Sequence, residues 1–160
     1  MEASSHSYVI ALGSNMRVPG VGGPRAVLGA ALDVLDHRGL VLRSVSRIRS
    51  SLPVGPSSRR YANGAALVAS RRDPPETLAL LQEVEEAFGR RRRGATWRAR
   101  QLDLDIVLWN GGIWRSPALV IPHPHFRMRD FVLRPAAEVA PKWRDPVTGL
   151  TLRQLASRVA

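Results

Sequence analysis

Gln101-Leu-Asp-Leu-Asp-Ile-Val-Leu-Trp109 decides the fold, because it reads as the last of four strands. Leu102, Leu104, Ile106 and Leu108 alternate with the other residues, and side chains change face at every position of a strand. The leucine face belongs against a core. Asp103 and Asp105 share the opposite face, with their Cα atoms ~7 Å apart. At an effective dielectric of about 20, two unit charges so placed repel by roughly 2 kcal/mol. A cation between them removes that repulsion, and Mg²⁺ typically takes one or two carboxylates together with substrate phosphates. The preceding stretch, Gly89 to Gln101, holds six arginines and no acid. Arginine is a planar, permanently charged donor suited to phosphate. The two segments together point to a magnesium-assisted polyphosphate site. A plainer arrangement also fits: an aspartate pair on a solvated strand face, salt-bridged to arginines, needs no metal.

Upstream, Asp73-Pro-Pro-Glu76 marks a helix start, with an N-cap aspartate, proline at N1 and glutamate at N3 closing a capping box. Leu78, Leu81, Val84 and Phe88 form the apolar stripe of this helix, and Gly89 ends it. Tyr61 to Ala69 reads as a strand with Tyr61, Asn63, Ala65 and Leu67 on one face. Leu40 to Arg49 alternates as another strand. The helix from Arg25 carries Val27, Ala31, Val34 and Leu35, with Gly39 as its C′ residue. Tyr8 to Leu12 is a buried strand ended by Gly13-Ser14-Asn15. Arg17–Pro24 and Ser50–Arg60, rich in glycine and proline, read as loops. Downstream, prolines 117, 122, 124 and 135 predict mostly irregular chain, before a short helix from Leu152. The order strand, helix, strand, strand, helix, strand predicts an α+β fold of the ferredoxin-like, split βαβ type. Its four-stranded antiparallel sheet would carry helices on one face and active-site loops on the other. Residues 1–7 read as a polar tail and 8–160 as a single domain.

The formal charge of +11 comes almost wholly from arginine, since Lys142 is the only lysine, and it favours anionic partners. No cysteine is present, which excludes disulfides and thiolate metal sites. The N-terminus lacks the apolar core of a signal peptide, and no apolar run approaches the ~20 residues of a membrane span. A cytoplasmic monomer is expected, with no membrane partner.

No G-x-x-x-x-G-K-[ST] segment is present, which excludes a Walker-type phosphate loop. Gly20-Val-Gly-Gly23 follows no strand directly and reads as an ordinary loop. His123-Pro124-His125 could touch phosphate or simply shape a turn; without further histidine or cysteine ligands, a zinc site is not indicated. Trp97 could pack over a nucleotide or against the sheet edge. Arg90 to Arg93 also suit the negative end of the preceding helix dipole. No Ser-His-Asp or Cys-His spacing indicates a nucleophile.

At this point Gly89-Arg90-x-Arg92…Trp97-x-x-Arg100-x-x-Asp103-x-Asp105-Ile106 resembles, in identity and spacing, the signature of the 6-hydroxymethyl-7,8-dihydropterin pyrophosphokinases. Tyr8-Val-Ile-Ala-Leu-Gly-Ser-Asn15, Tyr61-Ala-Asn63, Pro122-His123 and Arg129-x-Phe131-Val-Leu support the resemblance, which runs to about Ala140. It implies transfer of the β,γ-pyrophosphoryl group of ATP to the pterin hydroxymethyl oxygen in folate biosynthesis, with AMP released. It implies the ferredoxin-like fold and two Mg²⁺ ions held by Asp103 and Asp105. Arg90 and Arg100 would neutralise the transferring phosphate, helped by Arg92, with Trp97 in the loop that closes over the site. His123 and Arg129 would touch the ATP phosphates, and Glu85 and Ile106 would lie on the nucleotide side. Tyr61 and Phe131 would flank the pterin ring, Asn63 would hydrogen-bond its edge, and backbone around Ser51, Leu52 and Pro53 would assist.

The roles are physically coherent, since phosphoryl transfer depends on alignment and charge neutralisation. Thr96 stands where relatives often have arginine, and Pro124 where some carry an aromatic. Two other readings remain open: an RNA-binding module on a ferredoxin-like sheet, and a two-metal nuclease. A salt-steep affinity for RNA without an ATP-dependent product would mark the first. Hydrolysis of oligonucleotides would mark the second.

Overall fold

Residues 5–51, 60–89 and 101–159 are described in this computed structural model. Among the described residues seven strands and four α-helices follow one another: β1 (His6–Ser14), α1 (Pro24–His37), β2 (Val41–Val45), β3 (Arg49–Ser51), β4 (Tyr61–Ser70), α2 (Pro74–Ala87), β5 (Asp103–Trp109), β6 (Trp114–Ser116), β7 (Leu119–Ile121), α3 (Asp130–Val139) and α4 (Leu152–Arg158). The main sheet runs β2-β4-β1-β5, with every neighbouring pair antiparallel and β3 pairing with β4. The last two strands, β6 and β7, form a separate hairpin.

Local chemistry explains the first two helices. Asp73 accepts from the Glu76 N–H while Glu76 accepts from the Asp73 N–H, each at 3.0 Å, which closes the capping box read from the sequence. Gly39 adopts φ 95° just past α1, and Leu40 N–H reaches back to the Leu35 carbonyl. A residue without Cβ takes that left-handed turn at no steric cost.

Strand alternation then divides the core. Tyr8, Ile10, Leu12, Ala62, Ala66, Val68, Leu102, Leu104 and Ile106 pack with α1 and α2. Val9, Ala65, Val107 and Leu108 pack instead with Phe126, Leu133, Ala136, Val139, Leu152 and Leu155. Full burial of each large side chain contributes roughly 1.5–3 kcal/mol.

Three expectations change here. The second sheet face is not covered by loops alone: α3 and α4 lie over it, because an apolar face must be buried against another element. Helix α3 forms although Pro135 stands inside it, since burial of Leu133, Ala136 and Val139 outweighs the lost helix bond. The strand expected from Leu40 to Arg49 divides into β2 and β3, with Ser46 turning the chain at the break; its N–H donates to the Ala65 carbonyl and its hydroxyl accepts from the Ala65 N–H, both at 2.9 Å.

The alternation in β5 also ends early. Val9 pairs with Leu108 but Ile10 pairs with Ile106, so Val107 is an extra residue, a β-bulge. Leu108 therefore faces α3 with Val107 instead of joining Leu102, Leu104 and Ile106.

Below α3, the fully buried Asp145 receives both Nε and an Nη of Arg127, at 2.6 and 2.8 Å, plus the Thr148 hydroxyl and the Val147 N–H. Burial pushes its pKa up, but these donors outweigh burial and hold the carboxyl at about 2 instead of 3.8. A depressed pKa contributes stability that is complete above pH ~4 and lost as pH falls toward ~2. Asp145→Asn is therefore expected to melt below the wild type at pH 7, with the gap narrowing between pH 4 and 2. A gap that does not change with pH would remove the ion pair as its cause.

Candidate functional site

Strand register assembles the site. Asn63 pairs with Gly13 on one side and with Arg49 on the other, and Gly13 pairs in turn with Asp103. One row thus runs Arg49, Asn63, Gly13, Asp103 across four strands. The next residues along the same face, Ala65, Ala11 and Asp105, form a second row. Neighbouring strands lie ~4.8 Å apart, so Asn63 and Asp103 are separated by two spacings, ~10 Å. Between them Gly13 presents no side chain, and the Asn63 Oδ1 lies 3.6 Å from where a Cβ there would stand. Asn63 is buried, Asp103 is half-buried and Asp105 is exposed. Tyr61 pairs with Ser51 at the next position outward. The sequence-predicted face assignments of Asp103, Asp105, Tyr61 and Asn63 are thus met.

On the far side of β5, which is the outer strand of the sheet, lies a cleft of about 250 Å³. Asp105 and Ile106 of β5, Leu78 of α2, and Ala118, Leu119 and His123 line it. The sequence did not reveal this cleft. The β6–β7 hairpin that builds it lies in the proline-rich stretch expected to be irregular, although Trp114 and Leu119 already carried strand-like apolar character.

His123 donates its N–H to the Val107 carbonyl at 3.1 Å, and its Nδ1 accepts the His125 N–H at 3.2 Å. Burial lowers its pKa below the usual histidine range; Asp105 opposes the shift, while Arg129 and His125 add to it. The ring is therefore neutral at pH 7. Because Nδ1 accepts, the proton is on Nε2, which is left as a donor. Arg129 is the N-cap residue of α3, and its guanidinium lies over the Phe131 ring, 5.8 Å from the centroid. Phe131, in the first turn, is 36 % exposed.

Glu85, expected on the nucleotide side, belongs to α2. It is buried on the helix side of the sheet, and its Oε2 accepts the Leu104 N–H at 2.8 Å. That bond ties α2 to β5 beside the aspartates, which makes Glu85 a positioning group for the strand. Arg90, Arg92, Trp97, Arg100, Leu52 and Pro53 lie outside the described residues.

Asp103 and Asp105 offer hard oxygen donors on one face. Among the described residues no group of three or more His, Cys, Asp or Glu side chains could hold a metal ion. A carboxylate pair of this kind suits a cation that completes its shell from water and substrate oxygens, as Mg²⁺ does. A larger cleft, about 560 Å³, opens at the other end of β4 between Arg43, Arg71, Arg72 and Glu76. It contains none of the residues gathered here, so size does not mark the chemistry in this molecule. Among the described residues no helix is long and apolar enough to cross a membrane.

Comparison with known proteins places the chain by sequence and by fold. Residues 9–141 match the family described as 7,8-dihydro-6-hydroxymethylpterin-pyrophosphokinase. A Synechocystis 2-amino-4-hydroxy-6-hydroxymethyldihydropteridine pyrophosphokinase is 35% identical over 156 residues, covering 96% of this chain and 76% of the relative. The Pseudomonas aeruginosa protein of the same name is 38% identical over 139 residues, covering 86% of this chain and 82% of the relative. In fold, the chain superimposes on a Plasmodium falciparum HPPK-DHPS crystal structure with a TM-score of 0.73 at 14% identity. That match covers 99% of this chain but only 43% of the larger one.

Proposed function

Because this chain belongs to the 7,8-dihydro-6-hydroxymethylpterin-pyrophosphokinase family, we propose that the row from Asn63 to Asp103 is where it joins its two substrates. The protein transfers pyrophosphate from ATP to 6-hydroxymethyl-7,8-dihydropterin in folate biosynthesis. We read the antiparallel β2-β4-β1-β5 order as the ferredoxin-like arrangement, with the site on the α3 face and at the outer edge of β5.

The observation that carries the reading is the register: a pterin-recognising amide and a phosphate-side carboxylate stand two strand spacings apart, with a glycine between them. The pterin ring lies between Tyr61 and Phe131, and the Asn63 amide donates to and accepts from its edge, with backbone near Ser51, Leu52 and Pro53 completing the contact. Flat heterocycles suit aromatic walls and an amide edge. The nucleotide occupies the cleft beside Ile106. His123, through its Nε2–H, and Arg129 contact its phosphates, while Arg90, Arg92, Arg100 and Trp97 close over them.

The hydroxymethyl oxygen attacks the β-phosphorus of ATP and gives up its proton to water, while the bond from that phosphorus to the α,β-bridging oxygen breaks and that oxygen leaves with AMP. Asp103 and Asp105 would hold two Mg²⁺ ions, which neutralise the carboxylate pair and the triphosphate charge when bound. The arginines draw the developing charge off the transferring group and, with Trp97, exclude water. The RNA-binding reading finds no support beside this family membership.

One assay tests the assignment: AMP appearance from ATP must require the pterin. AMP formed at the same rate without it would point to hydrolysis instead. Asn63→Leu is expected to lower kcat/KM for the pterin by about 10²-fold, as expected for losing paired hydrogen bonds in a buried site. The KM for ATP should stay unchanged. An equal loss toward both substrates would take Asn63 out of the pterin pocket.

A further inference from the structure

Helix α3 contributes to the site only at its first turn, through Phe131 and the capping residue Arg129. Glu138 lies seven residues beyond Phe131, two turns or ~10 Å along the axis. Its carboxylate reaches across to a part of the chain about ninety residues away. Oε2 accepts the backbone N–H of Arg47 at 2.8 Å, and Oε1 accepts an Nη of Arg49 at 3.0 Å. The Arg47 Nε is a further 3.6 Å neighbour of Oε1.

These partners are specific in position. Arg47 lies in the turn between β2 and β3, and Arg49 opens β3, the three-residue strand that ends at Ser51 and pairs with Tyr61 and Asn63. So short an outer strand is weakly held by its own ladder. Ser46 fastens the turn to β4 through Ala65, and Glu138 fastens the same turn to α3. Among the described residues the buried Nε of Arg49 has no hydrogen-bond partner, at a cost of about 1–3 kcal/mol. Glu138 offsets that cost by giving the same guanidinium a charge-assisted bond.

An exposed ion pair alone contributes little, about 0–1 kcal/mol, because its side chains rearrange freely. Here the carboxylate also holds a main-chain N–H, which cannot leave without moving the turn. Burial raises the Glu138 pKa, but the Arg47 N–H and Arg49 outweigh it and leave the group below the ordinary glutamate range. It is therefore ionised at neutral pH.

We propose that Glu138 is a positioning residue for the pterin half of the site, fixing the spacing between the helix that carries Phe131 and the strand that carries Ser51. It touches neither substrate. The inference rests on the pterin assignment made above, and deepens it by naming what holds the two walls of the pocket apart.

The test compares wild type with Glu138→Ala, Glu138→Gln and Arg49→Met. Each is measured for AMP formation with both substrates varied, for pterin binding beside a nonhydrolysable ATP analogue, and for thermal unfolding. Loss of preorganisation should raise the pterin KM and Kd of Glu138→Ala about tenfold. The KM for ATP should stay within about twofold and kcat within about threefold. Glu138→Gln keeps an acceptor for the Arg47 N–H and should fall between, as should Arg49→Met. The double variant Glu138→Gln/Arg49→Met should lose less than the sum of its parts, since both act through one contact. Unchanged pterin constants in a folded Glu138→Ala protein, or pterin and ATP constants rising together, would overturn the proposal. Should Glu138→Ala unfold below assay temperature, the same criteria apply to Glu138→Gln and Arg49→Met. A wild-type protein lacking pterin-dependent AMP release would overturn the functional reading instead.

Discussion

Asp103→Ala and Asp105→Ala are each expected to lower AMP release by about 10³-fold or more, with no fall in melting temperature. The two effects separate if the pair acts on the ligand, as proposed above, while the core face of β5 is packed by other residues. Both carboxylates stand on one strand face, where like charges at ~7 Å repel by roughly 2 kcal/mol. Removing either relieves that repulsion while leaving Leu102, Leu104 and Ile106 packed on the opposite side. Asn in place of either Asp keeps the shape and loses the charge, and should be nearly as inactive as Ala. Chelation of divalent ions should reproduce the loss in wild type, with magnesium restoring it. Near-normal turnover in any one of these aspartate variants would refute the metal assignment.

Arg100→Ala is expected to lower kcat by about 10²–10³-fold, the usual cost of removing one donor aimed at developing charge. Nucleotide affinity should fall far less. Only Gln101 and Leu102 separate Arg100 from Asp103, so three Cα–Cα steps keep their Cα atoms within ~11 Å whatever the intervening path. A guanidinium tethered that close to the carboxylate pair can meet the transferring phosphate as its charge rises. Lysine at this position keeps the charge but not the planar fork, and should recover only part of the rate. Stopped-flow single turnover together with nucleotide titration distinguishes the cases. A large affinity loss with unchanged turnover would give Arg100 a ground-state binding role.

Much of this arrangement was legible in the chain. Asp73 and Glu76 announced α2 because a capping box is local chemistry, needing no distant partner. Tyr61 and Asn63 on one face, and Asp103 and Asp105 on one face, followed from strand alternation alone. Where distant packing decided, the sequence was less informative. Nothing local marks Val107 as an extra residue; its bulge exists because two successive apolar side chains are buried against α3. Pro135 argued against a helix that tertiary burial nevertheless stabilises. The bond from the Leu104 N–H to Glu85 gave no sign in the sequence, because that partner exists only after α2 docks on β5. Glu138 carried no signal either, since its bonds to Arg47 and Arg49 span about ninety residues.

The bulge in β5 also bears on the open edge of the sheet. An outer strand with unspent amides is a template on which another polypeptide can polymerise. Val107 interrupts the repeat, and the His123 N–H occupies its carbonyl, so the accessible stretch beside Ile106 is too short and too irregular to seed a growing cross-chain ladder.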